Sequence, residues 1–338
     1  MLERGFHLRK AIALLLIFSL SFLAGCGKRN AESVKRTYLD LFDTVTAVTV
    51  YDADEDDVSQ IVSDTYARLN SVFDAYAPHE GVNGLYRLNA ADGEWVPVDA
   101  NLLDLLLLCR SWRDISGELD VTRGALFELW RAFREGERTL PTREELSEAL
   151  SHGGWENVEI DEAGSRVRLL DPAMRIDVGA VAKGYSAGKL AEAFEAAGYS
   201  SYIIDAGGNV VSGEREKPFV IGITNPRGEG LVLKLSMEDM AAVSSGDYQR
   251  YREYKGKRYH HIIDVETLYP AEYGIAQVTV VAPDSAVADF FSTTIFLMDY
   301  EAGRAFADEN GLSVVWVMDD GEIRTTGRPG DGGELSVL

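Results

Sequence analysis

The stretch from Asp177 to Lys189, DVGAVAKGYSAGK, decides how the chain is read. The phosphate-binding loop of nucleotide hydrolases needs Gly, four residues, then Gly-Lys-Ser/Thr, because its backbone N–H groups wrap the phosphates while the hydroxyl holds Mg²⁺. Here Gly188-Lys189 is followed by Leu190, and Lys183 stands where the loop's first glycine belongs. The stretch is therefore a junction of another kind. Asp177 closes a short predicted strand, Met174–Val178, Gly179-Ala180 turn the chain, and a helix begins near Val181. The N–H groups at such a helix start favour an anion without any fixed consensus, and Lys183 in the first turn adds a cation. On these residues alone, a plain strand-turn-helix junction with a surface lysine fits as well.

Working outward, apolar residues recur at helical spacing from Val181 to Ala197, and Gly198 ends that helix. Strands are predicted at 202–205, 219–224, 231–235 and 241–243, and again at 275–281. Upstream, TVTAVTV (Thr44 to Val50) alternates as a strand does, 58–73 is an amphipathic helix, 102–112 and 144–150 are helices, and VEIDEAGSRVRLL is a hairpin turning at Ala163-Gly164. Downstream, 285–297 and 301–310 are helices, and SVVWVM with EIRTT forms a last hairpin. Strands and helices mix without regular βαβ alternation. The expected fold is therefore α+β, one domain with a mixed, largely antiparallel sheet and flanking helices.

The ends of the chain add a cellular context. Arg4, Arg9 and Lys10 precede the apolar run AIALLLIFSLSFLAG, which has the length and flanks of an export signal and is short for a membrane span. The run closes in Leu23-Ala24-Gly25-Cys26, which resembles a bacterial lipobox whose cysteine is lipidated. Residues 1–25 are thus expected to be a lipoprotein signal peptide, 26–36 a tether, 37–328 the domain and 329–338 a flexible tail. The remaining Cys109, in the apolar run LLDLLLLCR, then has no disulfide partner and reads as a buried filler. A formal net charge of −22 argues against nucleic acid as a partner, so an anionic substrate needs a local basic site. Arg250 to His261, RYREYKGKRYHH, is one, with five Lys or Arg and two His against one Glu.

Three further segments carry candidate chemistry. In IIDAGGNVVSG (Ile203 to Gly213), two glycines permit either a close backbone approach to a ligand or a tight turn. SSGDYQRYREYKGKRYHHIIDVETLYP (Ser244 to Pro270) gathers hydroxyl, carboxylate, imidazole and guanidinium groups around a turn at Lys255-Gly256. Adjacent His260 and His261 would point to opposite faces of a strand, so at most one faces a given site. In ADFFSTTIFLM (Ala288 to Met298), Asp289 and Thr293 are four apart on a helix, two hard oxygens suited to Mg²⁺. They serve equally as a first-turn acid and a core hydroxyl.

In this order the segments resemble the ApbE family of FAD:protein FMN transferases. ELDVTRGALFELW is similar to the family's G-x-F-D-I-T block, IDVGAVAKGY to D-L-G-G-I-A-K-G-Y, and IIDAGGNV to N-x-G-G-D/N. SSGDY and HIIDVETLYP resemble T-S-G-D-Y and H-I-I-D-P-x-T-G-Y-P, and ADFFSTT resembles A-D-x-x-S-T. Phe42-Asp43-Thr44 stands for the family's M-G-T, and Val265 and Leu268 for a Pro and a Gly. The resemblance implies Mg²⁺ held by the Ala180 carbonyl, Asp289 and Thr293. FAD, the substrate, would meet Phe42, Tyr76, Glu118, Leu119, Asp120, Asp177, Ala180, Lys183 and Ile263. Catalysis would rest on Lys183 and Asp289, with His261 orienting or deprotonating the acceptor hydroxyl. The implied acceptor is a flavoprotein bearing a D-x-x-S/T-G-A-S/T pattern, such as a subunit of a respiratory ion-pumping oxidoreductase or an extracellular flavoprotein. The enzyme would be exported and lipid-anchored to the outer face of the membrane. An exported FAD pyrophosphatase and a non-enzymatic FAD-binding lipoprotein are the alternatives.

Overall fold

The alternating TVTAVTV becomes β2 (Thr44–Tyr51), joined to β1 (Ser33–Leu41) by a two-residue turn at Phe42-Asp43. Both turn residues have positive φ, 54° and 53°, which matches a tight hairpin to the strands' right-handed twist. The computed structural model describes residues 33–326 and 335–337, so the expected signal segment 1–25, Cys26 and residues 27–32 lie outside the described residues. Residues 33–36, expected in the tether, are a correction: they begin β1, with Ser33 opposite Tyr51 and Arg36 opposite Val48. Backbone pairing holds this edge strand, whose sequence SVKRTYLDL is too polar to show a strong apolar period.

Next come α1 (Glu55–Val62), capped by the Asp54 carboxylate, one π-helical turn (Ser63–Ala67) and α2 (Arg68–Phe73), together the helix expected over 58–73. They are followed by α3 (Leu85–Asn89), β3 (Val96–Pro97), α4 (Ala100–Arg113), α5 (Gly124–Glu135) and α6 (Arg143–Ser151). The hairpin β4 (Val158–Asp161) and β5 (Arg166–Leu169) leads to α7 (Ala182–Ala196). The middle of the chain is β6 (Tyr202–Ala206), β7 (Asn209–Ser212), β8 (Phe219–Thr224), β9 (Leu231–Met237) and β10 (Met240–Gly246). A hairpin of β11 (Tyr251–Tyr254) and β12 (Lys257–His260) precedes β13 (Ile275–Ala282), α8 (Ser285–Phe296) and α9 (Tyr300–Glu309). Last are β14 (Ser313–Met318), β15 (Ile323–Thr326) and β16 (Leu335–Val337).

Eight strands form one sheet in the order β1-β2-β6-β7-β10-β13-β14-β15, with every pairing antiparallel. The fold is α+β as expected. All eight residues of β13 are buried, because both faces of the sheet are covered there. Val278 and Val280 join the main core with Phe290 and Ile295 of α8, while Val281 meets Leu233 and Leu235 of the smaller sheet β16-β9-β8. That small sheet corrects the expected tail: Leu335–Val337 pairs with Leu233–Leu235, using the backbone partners that an open edge of β9 presents. Among the described residues no helix is long and apolar enough to cross a membrane.

Two local arrangements position the site. In α5, Leu126, Trp130 and Phe133 pack with Leu146 of α6 and Tyr259 of β12, and Trp130 Nε1 donates to the Leu268 carbonyl at 2.9 Å. The adjacent stripe of the same helix then carries Phe127, Arg131 and Arg134, with Glu135 beyond it. The second is Met174–Val178, which belongs to no sheet although a strand was expected. Its partners are local: Asn89 Nδ2 donates to the Ile176 carbonyl at 2.9 Å, Asn89 Oδ1 accepts from Ile176 N at 2.8 Å, and Asp177 N donates to the Val121 carbonyl at 2.9 Å. An asparagine side chain thus does what a neighbouring strand would do.

Candidate active site

The junction read first in the sequence opens onto a cavity of about 530 Å³. Such a volume falls in the ordinary range for a bound organic ligand. Its walls come from the turn before α7 (Asp177, Gly179, Ala180, Lys183), from α5 (Arg131, Arg134) and from α8 (Asp289, Thr293). The segment after β10 supplies Tyr248, Gln249 and Arg250, and the residues after β12 supply His261 and Ile263. One compartment therefore collects pieces separated by more than half the chain.

Glycine is what lets α7 and α8 cross closely. A Cβ at Gly184 would lie 2.4 Å from Asp289 Cβ and 2.4 Å from the Ser285 carbonyl oxygen. Without it, the Gly184 N–H reaches the Asp289 carboxylate and donates at 2.7 Å. The anion held by this helix start is therefore first of all the protein's own. Asp289 is 2% exposed, and burial pushes its carboxyl above the usual range, against the opposing pull of Lys183 and the Gly184 N–H. A buried carboxylate in that state gains from a cation beside it.

The donor set suits a hard divalent cation. Asp289 brings a carboxylate, Thr293 a hydroxyl one turn along the same face of α8, and Ala180 lies in the turn across the cavity. Ser245 Oγ lies 2.9 Å from Thr293 Oγ1 and 2.8 Å from Ser292 Oγ, fixing the hydroxyl cluster beside the carboxylate. Among the described residues no group of three or more His, Cys, Asp or Glu side chains could form an all-protein cage. A single carboxylate with neutral oxygens is the pattern of Mg²⁺ shared with a phosphorylated ligand.

Cations balance that carboxylate. Lys183 and Arg134 make no ion pair or hydrogen bond among the described residues, and both face the cavity. Burial lowers Arg134 to about 10, still charged at neutral pH. Arg250 is aimed by backbone: its Nη2 donates to the Phe42 carbonyl at 2.9 Å and the Asp43 carbonyl at 3.3 Å. Arg131 lies 3.6 Å from the Tyr76 ring centroid and binds Glu135 at 2.7 Å, while the Tyr76 hydroxyl donates to Asp177. Asp177 also accepts from Gly179 N at 2.7 Å and so shapes the turn itself. At the base, a Cβ on Gly207 would lie 1.9 Å from Thr44 Oγ1, and the residue has φ +63°, so the glycine serves the turn and its close packing against Thr44.

The two histidines separate as a strand requires. His260 is buried with Nε2 on the Ala271 carbonyl at 2.9 Å, whereas His261 faces the cavity. Burial, then the charges of Arg250 and Arg134, hold the His261 imidazole well below its usual value, so it is neutral at neutral pH. Its Nδ1 is buried without a hydrogen-bond partner.

The structure brings Tyr76, Leu119, Asp177, Ala180, Lys183, His261, Ile263, Asp289 and Thr293 into one cavity. It does not bring Phe42, Glu118 or Asp120 to the wall. The Phe42 ring packs on Tyr66 with centroids 4.9 Å apart, and Asp43 and Thr44 line the cavity in its place. Asp120 is buried and caps the turn that follows it, accepting from Thr122 N at 3.0 Å and Thr122 Oγ1 at 2.7 Å. Glu118 is half-buried, its carboxyl raised by burial and by Glu266 and Asp264. Sequence reasoning missed Arg131 and Arg134. Their signal was an unread helix, ELWRAFRE, with its basic residues on the face next to the aromatic ones.

Fold and cavity together define a class: an α+β protein that sets three aimed cations and a neutral imidazole around one buried carboxylate. The chain belongs to the ApbE family, whose model matches residues 42–316. It is similar to the FAD:protein FMN transferase of Treponema pallidum, 29% identical over 341 aligned positions, with 92% of each chain covered. It is also similar to that of Haemophilus influenzae, 32% identical over 212 residues, 60% of this chain and 61% of the other. The crystal structure of the ApbE protein of Thermotoga maritima matches with a TM-score of 0.79 at 28% identity, over 87% of this chain and 97% of that one.

Proposed function

We propose that the protein transfers FMN from FAD to a Ser or Thr hydroxyl of an acceptor protein and releases AMP. The observation that carries this reading is that Lys183 and Arg134, which make no ion pair or hydrogen bond among the described residues, line one cavity with a buried Asp289, in a chain of overall charge −22. Cations in a low-dielectric cleft attract a pyrophosphate that the rest of the surface repels. In the reaction, the acceptor oxygen forms a bond to the FMN-side phosphorus, and the phosphorus–oxygen bond to AMP breaks with its electron pair leaving on AMP. His261, neutral and with Nδ1 unpartnered, accepts the hydroxyl proton. Lys183, Arg134 and Arg250 hold the phosphoryl oxygens through the change in charge. Asp289, Thr293 and the Ala180 carbonyl would hold Mg²⁺, which when bound neutralises the pyrophosphate. The lipobox-like Leu23-Ala24-Gly25-Cys26 supports export and a lipid anchor on Cys26.

The test is mass spectrometry of an acceptor with the D-x-x-S/T-G-A-S/T pattern, incubated with FAD, Mg²⁺ and the protein. Added FMN on Ser or Thr, lost in Asp289→Ala, supports the proposal. Free FMN and AMP without labelled acceptor support hydrolysis instead, and FAD bound with no AMP released supports a binder.

A further inference from the structure

The hairpin of β11 and β12 is a two-stranded sheet of its own, outside the eight-stranded sheet, yet it brackets the cavity. Arg250 stands just before β11, Tyr251 begins it, His261 follows β12, and all three line the cavity wall. The next residue of β11, Arg252, lies opposite Tyr259 in register and so shares its face, the one packed on α5. There its Nη1 donates to the Phe133 carbonyl at 2.6 Å and lies 3.5 Å from the Arg138 carbonyl, with the guanidinium carbon 4.7 Å from the centre of the Phe133 ring. Phe133 belongs to the last turn of α5, where carbonyls run out of helical partners and the helix dipole presents its negative end. A cation donating there caps the helix. Packing alone asks for no charge at this place, since Tyr254 and Tyr259 already meet the Phe133 ring at 5.6 and 5.4 Å.

We propose that Arg252 is a positioning residue, which grips the last turn of α5 and thereby holds Arg134 in the cavity against the pyrophosphate of FAD; the proposal rests on the flavin-transfer reading above. Arg134 is the residue after Phe133, and it makes no ion pair or hydrogen bond among the described residues. Its guanidinium is therefore placed by its own backbone and by burial. The bond from Trp130 Nε1 to the Leu268 carbonyl fixes the helix one turn earlier, and beyond it the helix end is free to fray unless something holds its carbonyls. One strand thus sets two cations. Arg250, two residues before Arg252, is held by the Phe42 and Asp43 carbonyls, and Arg134 is held through Arg252 and the Phe133 carbonyl. The hairpin in this way fixes the spacing between two cations that must meet one pyrophosphate.

The experiment is a double-mutant cycle of Arg252→Met and Arg134→Ala in the full chain, with FAD titrated by flavin fluorescence. Methionine keeps an apolar stem over the Phe133 ring and removes the donor. The expected result is that Arg252→Met raises the Kd for FAD about fivefold when Arg134 is present and by less than about twofold in the Arg134→Ala background. A residue that merely stabilises the fold, or adds a distant positive charge, gives the same factor in both backgrounds. Equal factors therefore overturn the proposal, as does an unchanged Kd in Arg252→Met, and both leave flavin transfer standing. Should Arg252→Met melt below the assay temperature, Arg252→Lys, which shortens the side chain but keeps its charge, is read in the same cycle. Unchanged FAD affinity in Arg134→Ala alone overturns the proposal together with the phosphate-holding role given to Arg134 above, and a wild type that binds no FAD overturns the flavin-transfer reading with it.

Discussion

One methyl group added at Gly184 sets two effects against each other. Alanine in a helix interior is favoured over glycine by about 1 kcal/mol, so helix propensity alone predicts a more stable Gly184→Ala protein. Against this, the new Cβ would lie 2.4 Å from Asp289 Cβ and from the Ser285 oxygen, about 1 Å inside ordinary contact. The Ser285 oxygen is backbone, so no rotamer relieves the clash, and α7 must move off α8. Overpacking of this kind costs about 1–3 kcal/mol. Stretching the Gly184 N–H bond to a buried carboxylate, now 2.7 Å, costs about 1.5–3 kcal/mol more. The net loss is roughly 1.5–5 kcal/mol, a fall in Tm of roughly 2–8 °C for a chain of this size. Because Asp289 shifts with the helix, the rate of FMN transfer falls by about 100-fold, the usual consequence of a displacement near 1 Å. Thermal melting by circular dichroism and the initial rate of acceptor labelling check both numbers. A variant that melts at or above the wild-type temperature and transfers at the wild-type rate would refute the reasoning, since propensity would then have won.

Two other expectations follow from the charges in the cavity. Arg134→Ala weakens FAD binding by about tenfold and lowers its salt dependence, whereas Lys189→Ala, whose ammonium pairs with Glu192 at 2.9 Å on the surface, changes neither; fluorescence titration at two ionic strengths decides this. His261 gives a pH signature, because its folded-state value lies well below the ordinary imidazole value near 6.5. Its base form is already complete at pH 6.5, so the rate stays level from there upward and the limb due to His261 appears only at lower pH. For stability the sign is the same: the unfolded chain binds the proton first, so stability is full above 6.5 and declines as pH falls toward the folded value. A rate that halves near pH 7 through an ionisation absent from His261→Gln contradicts this.

Regular periods made most of the fold legible. The strand at 44–50, the helix at 181–197 and the apolar run at 275–281 were each fixed by local pattern, and each matches β2, α7 and β13 closely. What escaped was held by tertiary partners. Met174–Val178 looks like a strand, yet its hydrogen bonds go to Asn89 and Val121, which no local window shows. The aromatic and basic residues of α5 hide its amphipathic face, since Trp130 and Phe133 bury while Arg131 and Arg134, the residue after each, do not. For the site, residue type and spacing pointed to Asp289, Thr293 and Lys183. Arg250 emerged only as one charge within a basic run, because its aim depends on carbonyls more than 200 positions away in sequence.

The departures from the family pattern show why the site survives them. Asp43 and Leu268 stand where the family has glycine, and both have positive φ, 53° and 72°, the conformation that glycine adopts without strain. A side chain there costs about 1–2 kcal/mol. At Leu268 that cost is offset by burial, since the residue is 4% exposed in the cluster around Trp130. Asp is among the residues that tolerate this conformation, and the neighbouring Phe42 ring is packed against Tyr66. What the cavity needs from these turns is in any case not a side chain. Arg250 is aimed by the carbonyls of Phe42 and Asp43, and α5, with Arg134, is tied down through the Leu268 carbonyl and Trp130 Nε1. Any residue that accepts the backbone conformation presents the same oxygen, so the cations keep their places while the motif changes.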